Sequence, residues 1–423
     1  MRYRHGVLAL LFFLSIITYL DRVCISVAGP RMQDELQLGP EQWGWVVGAF
    51  TISYALFEIP SGTLADKIGA RKVLTRIVLW WSAFTSLTGA ISNFWALLAV
   101  RFAFGAGEAG AYPGSASSIS RWFPTATRAR ASAVVWMASR LGGALSPLLV
   151  VPIQIHYGWR MTFYIFGAIG VVWCLIWWVW YRDRPELKAG VTETEVREVG
   201  APAYAGHEPL PWAQVLRNRN FWTILAMYHT YCWGSYFYLS WLHTFLVKGR
   251  GYSELEVRDL TWLPFVCGAV GNLAGGTASD YLTKRLGLTA GRRIVGSAGL
   301  ALSGLFMLAC ALTPGKISAI TFLSLGYFAM DCMLPVSWAV CLDVGKKYAG
   351  AVSGAMNMAG QVGSFLSSIA FGYLVKEFAN YNLPLFPFSG MLLVSAFLFT
   401  RIRPEELLVP SEGGQAAGRK LAA

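Results

Sequence analysis

Charge is scarce in this chain. Of its 423 residues, 14% are Asp, Glu, Lys or Arg, against about 25% in an ordinary soluble domain. The polar surface that a soluble protein of this length needs is missing. Cysteine is also unorganised. Cys24, Cys174, Cys232, Cys267, Cys310, Cys332 and Cys341 stand singly in apolar segments, with no CxxC pair and no metal-ligand spacing. That argues against a disulfide framework, a redox motif or a zinc site and leaves seven small core hydrophobes. Neither HExxH nor GxSxG occurs, so no metal or nucleophile motif supports a membrane-embedded enzyme. The first apolar run is too long for a secretory leader and lacks a small-residue cleavage site, so it reads as a membrane span.

Apolar sequence fills the space that charge leaves. Hydrophobic residues make up 55% and mean hydropathy is +0.47. Apolar runs of about 20 residues, each enough to cross a bilayer as a helix, recur along nearly the whole chain. Twelve spans are expected at about 6–30, 42–65, 73–92, 94–119, 129–154, 160–181, 221–247, 257–279, 292–312, 317–340, 349–375 and 384–402. Continuous runs exclude a transmembrane barrel, whose strands alternate. The expected fold is an all-α integral membrane protein of twelve transmembrane helices in two six-helix halves.

The net charge of +12 is not a nucleic-acid signal, because the basic residues gather in every second loop. With the N-terminus inside, only Arg31, Arg160, Lys248, Arg250, Arg258, Lys316 and Lys376 fall on the outer side. Arg22, Arg101 and Arg140 fall within spans, and the rest of the 35 lie on the inner side. That bias places both termini in the cytoplasm. The longest polar stretch, about 182–220, carries Glu193, Glu195, Arg197, Glu198, Pro202, Pro209 and Pro211 and reads as a cytoplasmic linker. The organisation expected is an N-terminal half over 1–182, a linker over 183–219, a C-terminal half over 220–403 and a cytoplasmic tail over 404–423.

Ionised groups at membrane depth are costly and usually mark a substrate or ion path. Asp21 and Arg22 adjoin in span one; Arg101 and Glu108 share span four. At ~1.5 Å per residue Asp21, Arg22 and Arg101 lie at similar depth, and Glu108 is ~10 Å from Arg101 on the same helix face. Arginine presents a planar, permanently charged fork that matches a carboxylate. Burial favours a neutral acid and a nearby arginine favours its carboxylate, so Asp21 and Glu108 suit proton coupling. The competing reading is that the four residues form fixed ion pairs tying spans one and four together. Gly105, Gly107 and Gly110 make span four slim, leaving room for a ligand or a close neighbour.

Arg140 in span five has no acid on its own helix. It either pairs with Glu108 or grips a second carboxylate or a phosphate of the substrate. Tyr19 and Tyr54 can bond substrate hydroxyls or simply pack. The same choice holds for Asn357 and Gln361, four apart on one face of span eleven, and for Ser337 and Trp338 after Pro335 in span ten. Glu58, beside Pro60 near the inner end of span two, is read as a gate or cap; Asp331 in span ten has no assigned role. His229 and His243 read as hydrogen-bonded packing residues.

A motif repeats between the halves. After span two the chain reads Gly62-Thr63-Leu64-Ala65-Asp66-Lys67-Ile68-Gly69-Ala70-Arg71-Lys72. After span eight it reads Gly275-Gly276-Thr277-Ala278-Ser279-Asp280-Tyr281, followed by Arg292-Arg293. The glycines let helices approach; Asp66 can satisfy a helix N-terminus, and Arg71 can pair with a carboxylate. Two halves with equal span counts and one recurring motif indicate an internal repeat.

Twelve spans with Gly62, Asp66, Gly69, Arg71 and Lys72 in this pattern resemble the major facilitator superfamily over nearly the whole chain. Three segments resemble its anion:cation symporter branch: Tyr19-Leu20-Asp21-Arg22, Arg101 through Gly105-Ala106-Gly107-Glu108-Ala109, and Arg121-Trp122-Phe123-Pro124 with Arg128. That branch includes bacterial galactonate, glucarate and hexuronate/proton symporters and the vesicular glutamate and sialic acid transporters. The resemblance implies alternating access, with Arg22 holding the substrate carboxylate. It also implies that Asp21 and Glu108 carry protons and that Arg101 pairs with them. The function expected is proton-coupled symport of an organic carboxylate such as an aldonate or aldarate. Its partners are that small anion, protons and the lipid bilayer. No cofactor is expected beyond the proton as coupling ion, and the protein is expected as a monomer in a bacterial inner membrane. The alternative is an organophosphate or dicarboxylate exchanger. A transporter-like sensor would need an output domain that the loop and tail do not offer.

Overall fold

A computed structural model describes residues 2–199 and 211–409; the side chains of residues 59, 62, 63, 65–67, 125, 126, 129 and 347 lie outside that description. The described residues form seventeen α-helices, and no strand occurs among them. The N-terminal half comprises α1 (Tyr3–Glu35), α2 (Pro40–Ile68), α3 (Ala70–Ala90), α4 (Phe94–Glu108), α5 (Ala111–Trp122), α6 (Thr125–Tyr157) and α7 (Trp159–Trp180). Short helices α8 (Glu193–Val199) and α9 (Trp212–Val215) follow in the linker. The C-terminal half contains α10 (Arg219–Ser240), α11 (Leu242–Thr244), α12 (Glu254–Leu260), α13 (Trp262–Leu286), α14 (Leu288–Leu312), α15 (Lys316–Gly345), α16 (Ala349–Phe378) and α17 (Leu385–Arg401).

The expected twelve spans map onto these helices with ends moved by a few residues, and three are interrupted. Span four is α4 plus α5, broken at Ala109–Gly110; span seven is α10, α11 and a π-turn at Phe245–Gly249; span eight begins with α12 and turns at Thr261 into α13. Six helices are long and apolar enough to cross a membrane alone: Tyr3–Glu35, Arg130–Tyr157, Trp159–Trp180, Leu288–Leu312, Lys316–Gly345 and Ala349–Phe378. The others pack among them in the same bundle.

The packing shows the internal repeat directly. Spans one and five pack together as α1 and α6, and spans seven and eleven as α10 and α16. Spans two and four (α2, α4) correspond to eight and ten (α13, α15); three and six (α3, α7) correspond to nine and twelve (α14, α17). Between the halves α2 meets α16, and α6 meets α13. Those two contacts are also equivalent under a six-span shift, as a pseudo-two-fold relation requires.

Small residues set these approaches because lipid offers helices no hydrophobic driving force to associate. A Cβ on Gly372 would stand 2.3 Å from the Pro40 carbonyl, and one on Gly44 would stand 2.6 Å from that of Ser368. Within the C-terminal half, Cβ atoms on Gly271 and Gly275 would meet the carbonyls of Phe328 and Cys332 at 2.2 and 2.0 Å. In α4 the glycines serve close neighbours, not ligand space. A Cβ on Gly105 would lie 2.4 Å from the Phe50 carbonyl, and one on Gly107 would strike the Trp80 ring.

Three ion pairs join the halves at the end of the bundle where α1 finishes: Arg31 with Glu254, in two parallel bonds of 2.5 and 2.8 Å, Lys248 with Asp34 at 2.6 Å, and Lys376 with Glu41 at 2.9 Å. Behind them Ser26 is hydrogen-bonded to His243, and Gln33 donates to Thr244. Among the described residues no ion pair joins the halves at the opposite end, where α1 begins. The linker is anchored there instead. Glu195 of α8 accepts the first free backbone N–H groups of α1, from Tyr3 and Arg4, and Glu198 pairs with Arg2 and Arg4. A carboxylate at that end satisfies donors that no helical carbonyl can reach and opposes the helix dipole.

Gly275→Ala would drive a methyl into the Cys332 carbonyl. Overpacking of this kind costs about 1–3 kcal/mol, so thermal unfolding in detergent should occur at a distinctly lower temperature. Gly350→Ala, where a Cβ meets nothing within 4 Å, should leave the melting temperature unchanged or raise it slightly, since alanine is the better helix former.

Candidate functional site

The intramembrane charges gather near mid-depth. Arg22 is ~29 Å along α1 from its inner end, and Arg140 is ~23 Å along α6. Glu108 ends α4, immediately before the break at Ala109–Gly110.

Arg22 and Glu108 form an ion pair, with Nε donating to Oε1; Glu108 is fully buried and Arg22 nearly so. The guanidinium lies against three rings, 5.4 Å from the Tyr19 centroid, 5.1 Å from Phe50 and 4.8 Å from Tyr54. Cation–π attraction strengthens as water is removed, so this aromatic box holds the cation without neutralising it. Arg22 Nη2 and Glu108 Oε2 have no hydrogen-bond partner in the protein. The pair is thus held at one end of each group, leaving donor and acceptor capacity at the other.

Arg101 was expected to partner the acids. Instead it lies over Phe104 and Phe50, at 4.6 and 5.3 Å, with its Nε unpartnered. Two helical turns separate it from Glu108 on the same helix, ~10 Å, while Arg22 reaches Glu108 from the neighbouring helix. Asp21 points elsewhere than Arg22, as adjacent helical residues must. Its carboxylate is buried and has no hydrogen-bond partner; Trp81 and Thr85 of α3 are the polar side chains facing it, with Glu108 and Arg101 in electrostatic range. The structure therefore unites Tyr19, Arg22, Tyr54 and Glu108 and sets Asp21 and Arg101 behind them.

Arg140 does not pair with Glu108. Its Nη2 is 3.0 Å from both oxygens of Asp331 on α15, and its Nη1 donates to the Tyr327 hydroxyl at 2.8 Å. The two unassigned opposite charges of the sequence are thus partners across the halves. The available signal was that span five had a cation and span ten an anion, both near mid-span, with no neutralising group on either helix.

Other expected substrate contacts are committed to the protein. Asn357 donates to both oxygens of Glu58 at 2.7 and 2.8 Å, bridging α16 and α2. Ser337 bonds the Leu334 carbonyl of its own helix. Trp338 faces Trp136 across the halves at 6.0 Å, and Gln361 is half-buried one turn from Asn357. His229 meets the Ala359 carbonyl as a packing residue. Sequence reasoning missed Phe50, Tyr112 and Tyr327. Tyr112 is bonded to Ser15 and stacked on Trp136 at 4.5 Å. Aromatic residues are too common in these spans for any one to stand out.

In the loop motif, Gly69 has φ +91° and faces the Asp183 carboxylate, which a Cβ would strike at 2.6 Å. Asp183 accepts the Arg71 backbone N–H at 3.0 Å and pairs with Arg121 at 3.3 Å. The Arg71 guanidinium, expected on a carboxylate, binds the Trp178 carbonyl and lies over its ring at 4.2 Å. That carbonyl is in the last turn of α7, where helical acceptors lack donors. Lys72 is exposed; the side chains of Gly62 and Asp66 lie outside the described residues. In the second copy Arg292 contacts Ser279, Asp280 and Asp343.

Comparison with known proteins agrees with this architecture. Residues 11–368 match the Major Facilitator Superfamily. The chain is 35% identical to the probable sulfoacetate transporter SauU of Cupriavidus necator, over 98% of this chain and 97% of that one. It is 30% identical to the probable galactarate/D-glucarate transporter GarP of Escherichia coli K12, over 94% of each, and 28% identical to the hexuronate transporter of Bacillus subtilis, over 93% and 92%. In fold it is similar to a bacterial homologue of the human lysosomal transporter Spinster in an inward-facing, unoccupied conformation. The TM-score is 0.77 with 21% identity over 95% of this chain and 97% of that one. The chain belongs to the Major Facilitator Superfamily, as an integral membrane transporter and not an enzyme.

Proposed function

We propose that this protein is a proton-coupled symporter of organic carboxylates. The observation that carries the proposal is the buried Arg22–Glu108 pair in its aromatic box. A substrate carboxylate that takes the Arg22 fork displaces Glu108. An uncompensated buried carboxylate costs several kcal/mol, and a proton removes that cost. Anion binding at Arg22 and proton uptake at Glu108 are then one linked event. Asp21, buried and without a bonded cation, is the second proton site; Arg101 acts on both acids through its field. Tyr19 and Tyr54 orient the bound anion, and their hydroxyls suit a polyol chain such as an aldonate or aldarate.

Alternating access follows from where the halves are joined. The outer pairs Arg31–Glu254, Lys248–Asp34 and Lys376–Glu41 close the outer face, and Glu58–Asn357 joins the halves nearer the inner one. Opening one set while the other stays closed exposes the central pair to one face at a time. The relatives named for sulfoacetate, galactarate/D-glucarate and hexuronate support an organic anion as cargo. The protein acts as a monomer in a bacterial inner membrane, with both termini cytoplasmic.

Arg22→Ala should abolish binding of any transported anion, while Glu108→Gln should keep binding and counterflow but lose accumulation driven by a pH gradient. Both are read in proteoliposomes over a panel of sugar acids, dicarboxylates and glycerol phosphate. Full concentrative uptake by either variant would overturn the assignment, and proton-independent counterflow by the unaltered protein would point to an exchanger. For topology, a C-terminal alkaline phosphatase fusion should be inactive and a C-terminal fluorescent protein fusion bright in a bacterial host.

A further inference from the structure

We infer that Arg140, Tyr327 and Asp331 form the second half of the substrate site, so that the preferred cargo is a short organic dianion. One anionic group is held at Arg22, and the other exchanges with Asp331 on Arg140. The inference rests on reading Arg22 as the first carboxylate grip.

The first argument is position. Arg140 belongs to α6 of the N-terminal half and Asp331 to α15 of the C-terminal half, and both are buried. A permanent ion pair there would tie together two bodies that must move against each other. A group that takes either partner's place releases the tie, and an anionic cargo is such a group.

The second is geometry. Asp331 does not occupy the arginine fork. A single nitrogen, Nη2, faces both carboxylate oxygens, Oδ2 is not aligned for a hydrogen bond, and Nη1 is spent on the neutral Tyr327 hydroxyl. An incoming carboxylate or sulfonate that engages both nitrogens makes two parallel charge-assisted bonds, a stronger arrangement than the resident one. Asp331 and Tyr327 are seated against the backbone of α13, an approach that Gly268 permits. A Cβ there would lie 2.8 Å from Asp331 Oδ2 and 2.8 Å from the Tyr327 ring.

The third is the link between the two clusters. Tyr19 carries Arg22 over its ring at 5.4 Å and also lies within electrostatic range of Arg140 and Tyr327. A tyrosine shared by the two arginines places both grips beside one cargo, an organic chain with an anion at each end. Two of the relatives are named for such molecules, sulfoacetate and galactarate.

Charge balance completes the scheme. The groups facing Asp331 are Arg140 from α6, Tyr327 on its own helix, Tyr231 and Tyr238 from α10, and the backbone at Gly268 of α13. Arg140 is the cation among them. When the cargo takes Arg140, Asp331 accepts a proton, as Glu108 does at Arg22. Glu108 and Asp331 then take up two protons against the two negative charges of the cargo, so these two ion pairs keep their net charge, and a proton on Asp21 is additional.

The test compares galactarate with galactonate, which lacks one carboxylate, and sulfoacetate with acetate, in proteoliposomes under an imposed pH gradient. The unaltered protein should favour each dianion by about tenfold or more in kcat/KM, the worth of one charge-assisted bond. Arg140→Gln should collapse that ratio towards one. Because this variant leaves Asp331 without a cation, the neutral pair Arg140→Gln/Asp331→Asn is read beside it and should show the same collapse. Asp331→Asn alone should keep the ratio but carry one proton fewer per dianion, read as a shift in the reversal potential of dianion uptake. Equal loss of galactarate and galactonate uptake in both Arg140 variants would overturn the inference. So would full dianion preference in the neutral pair Arg140→Gln/Asp331→Asn, since no cation would then be left there to hold the second anion. If galactonate uptake requires Arg22 and Glu108 while the ratio ignores Arg140, this inference falls and the symporter reading stands. If the unaltered protein moves none of these anions, both fall.

Discussion

A charge inside a bilayer has no water to turn to, and that constraint governs this protein. Each arginine at membrane depth must be held by rings, by a carboxylate or by both, and each acid must find a cation or a proton. Arg22 rests in a box of Tyr19, Phe50 and Tyr54 and meets Glu108; Arg140 meets Asp331 and Tyr327; Arg101 lies on Phe50 and Phe104. The chain keeps few intramembrane charges, and those it keeps converge on the middle of the bundle. Polar groups as costly as these are retained where they perform work on a solute.

The same solvent shapes the scaffold. Helices cannot associate by hiding apolar surface from lipid, so they do so by fit, and the close approaches occur at Gly44, Gly105, Gly271, Gly275 and Gly372. The interface between halves is built from two equivalent contacts, α2 with α16 and α6 with α13. At one end of the bundle the halves are joined by three ion pairs near water. Exposed pairs of this kind are worth little each, which suits a gate that must open. For the buried pairs at the centre, removing one partner is costly, because it leaves an uncompensated charge.

Much of this was legible in the linear chain. Span positions followed from hydropathy, the repeat from the recurrence of the Gly62 to Lys72 pattern near Gly275 to Arg293, and the charged core from four residues that should not be in lipid. The partnerships were not. Arg101 and Glu108 share a helix face, which suggested a pair; the two-turn gap and the arrival of Arg22 from α1 decided otherwise. Asn357 looked like a reader of substrate hydroxyls and is bonded to Glu58. Arg71 looked like a partner for a carboxylate and serves the last turn of α7.

What the sequence determined by itself is everything that depends on depth and helix phase: the membrane class, the repeat of six spans, and which ionisable groups are buried. These follow from the period of one helix and the thickness of one bilayer. What the tertiary structure alone decided is pairing: Arg22 with Glu108, Arg140 with Asp331, and Tyr19 between the two arginines. Pairing depends on how one helix is rotated and shifted against another. That is settled by the sum of many glycine approaches and side-chain contacts, none of which is written in either helix alone.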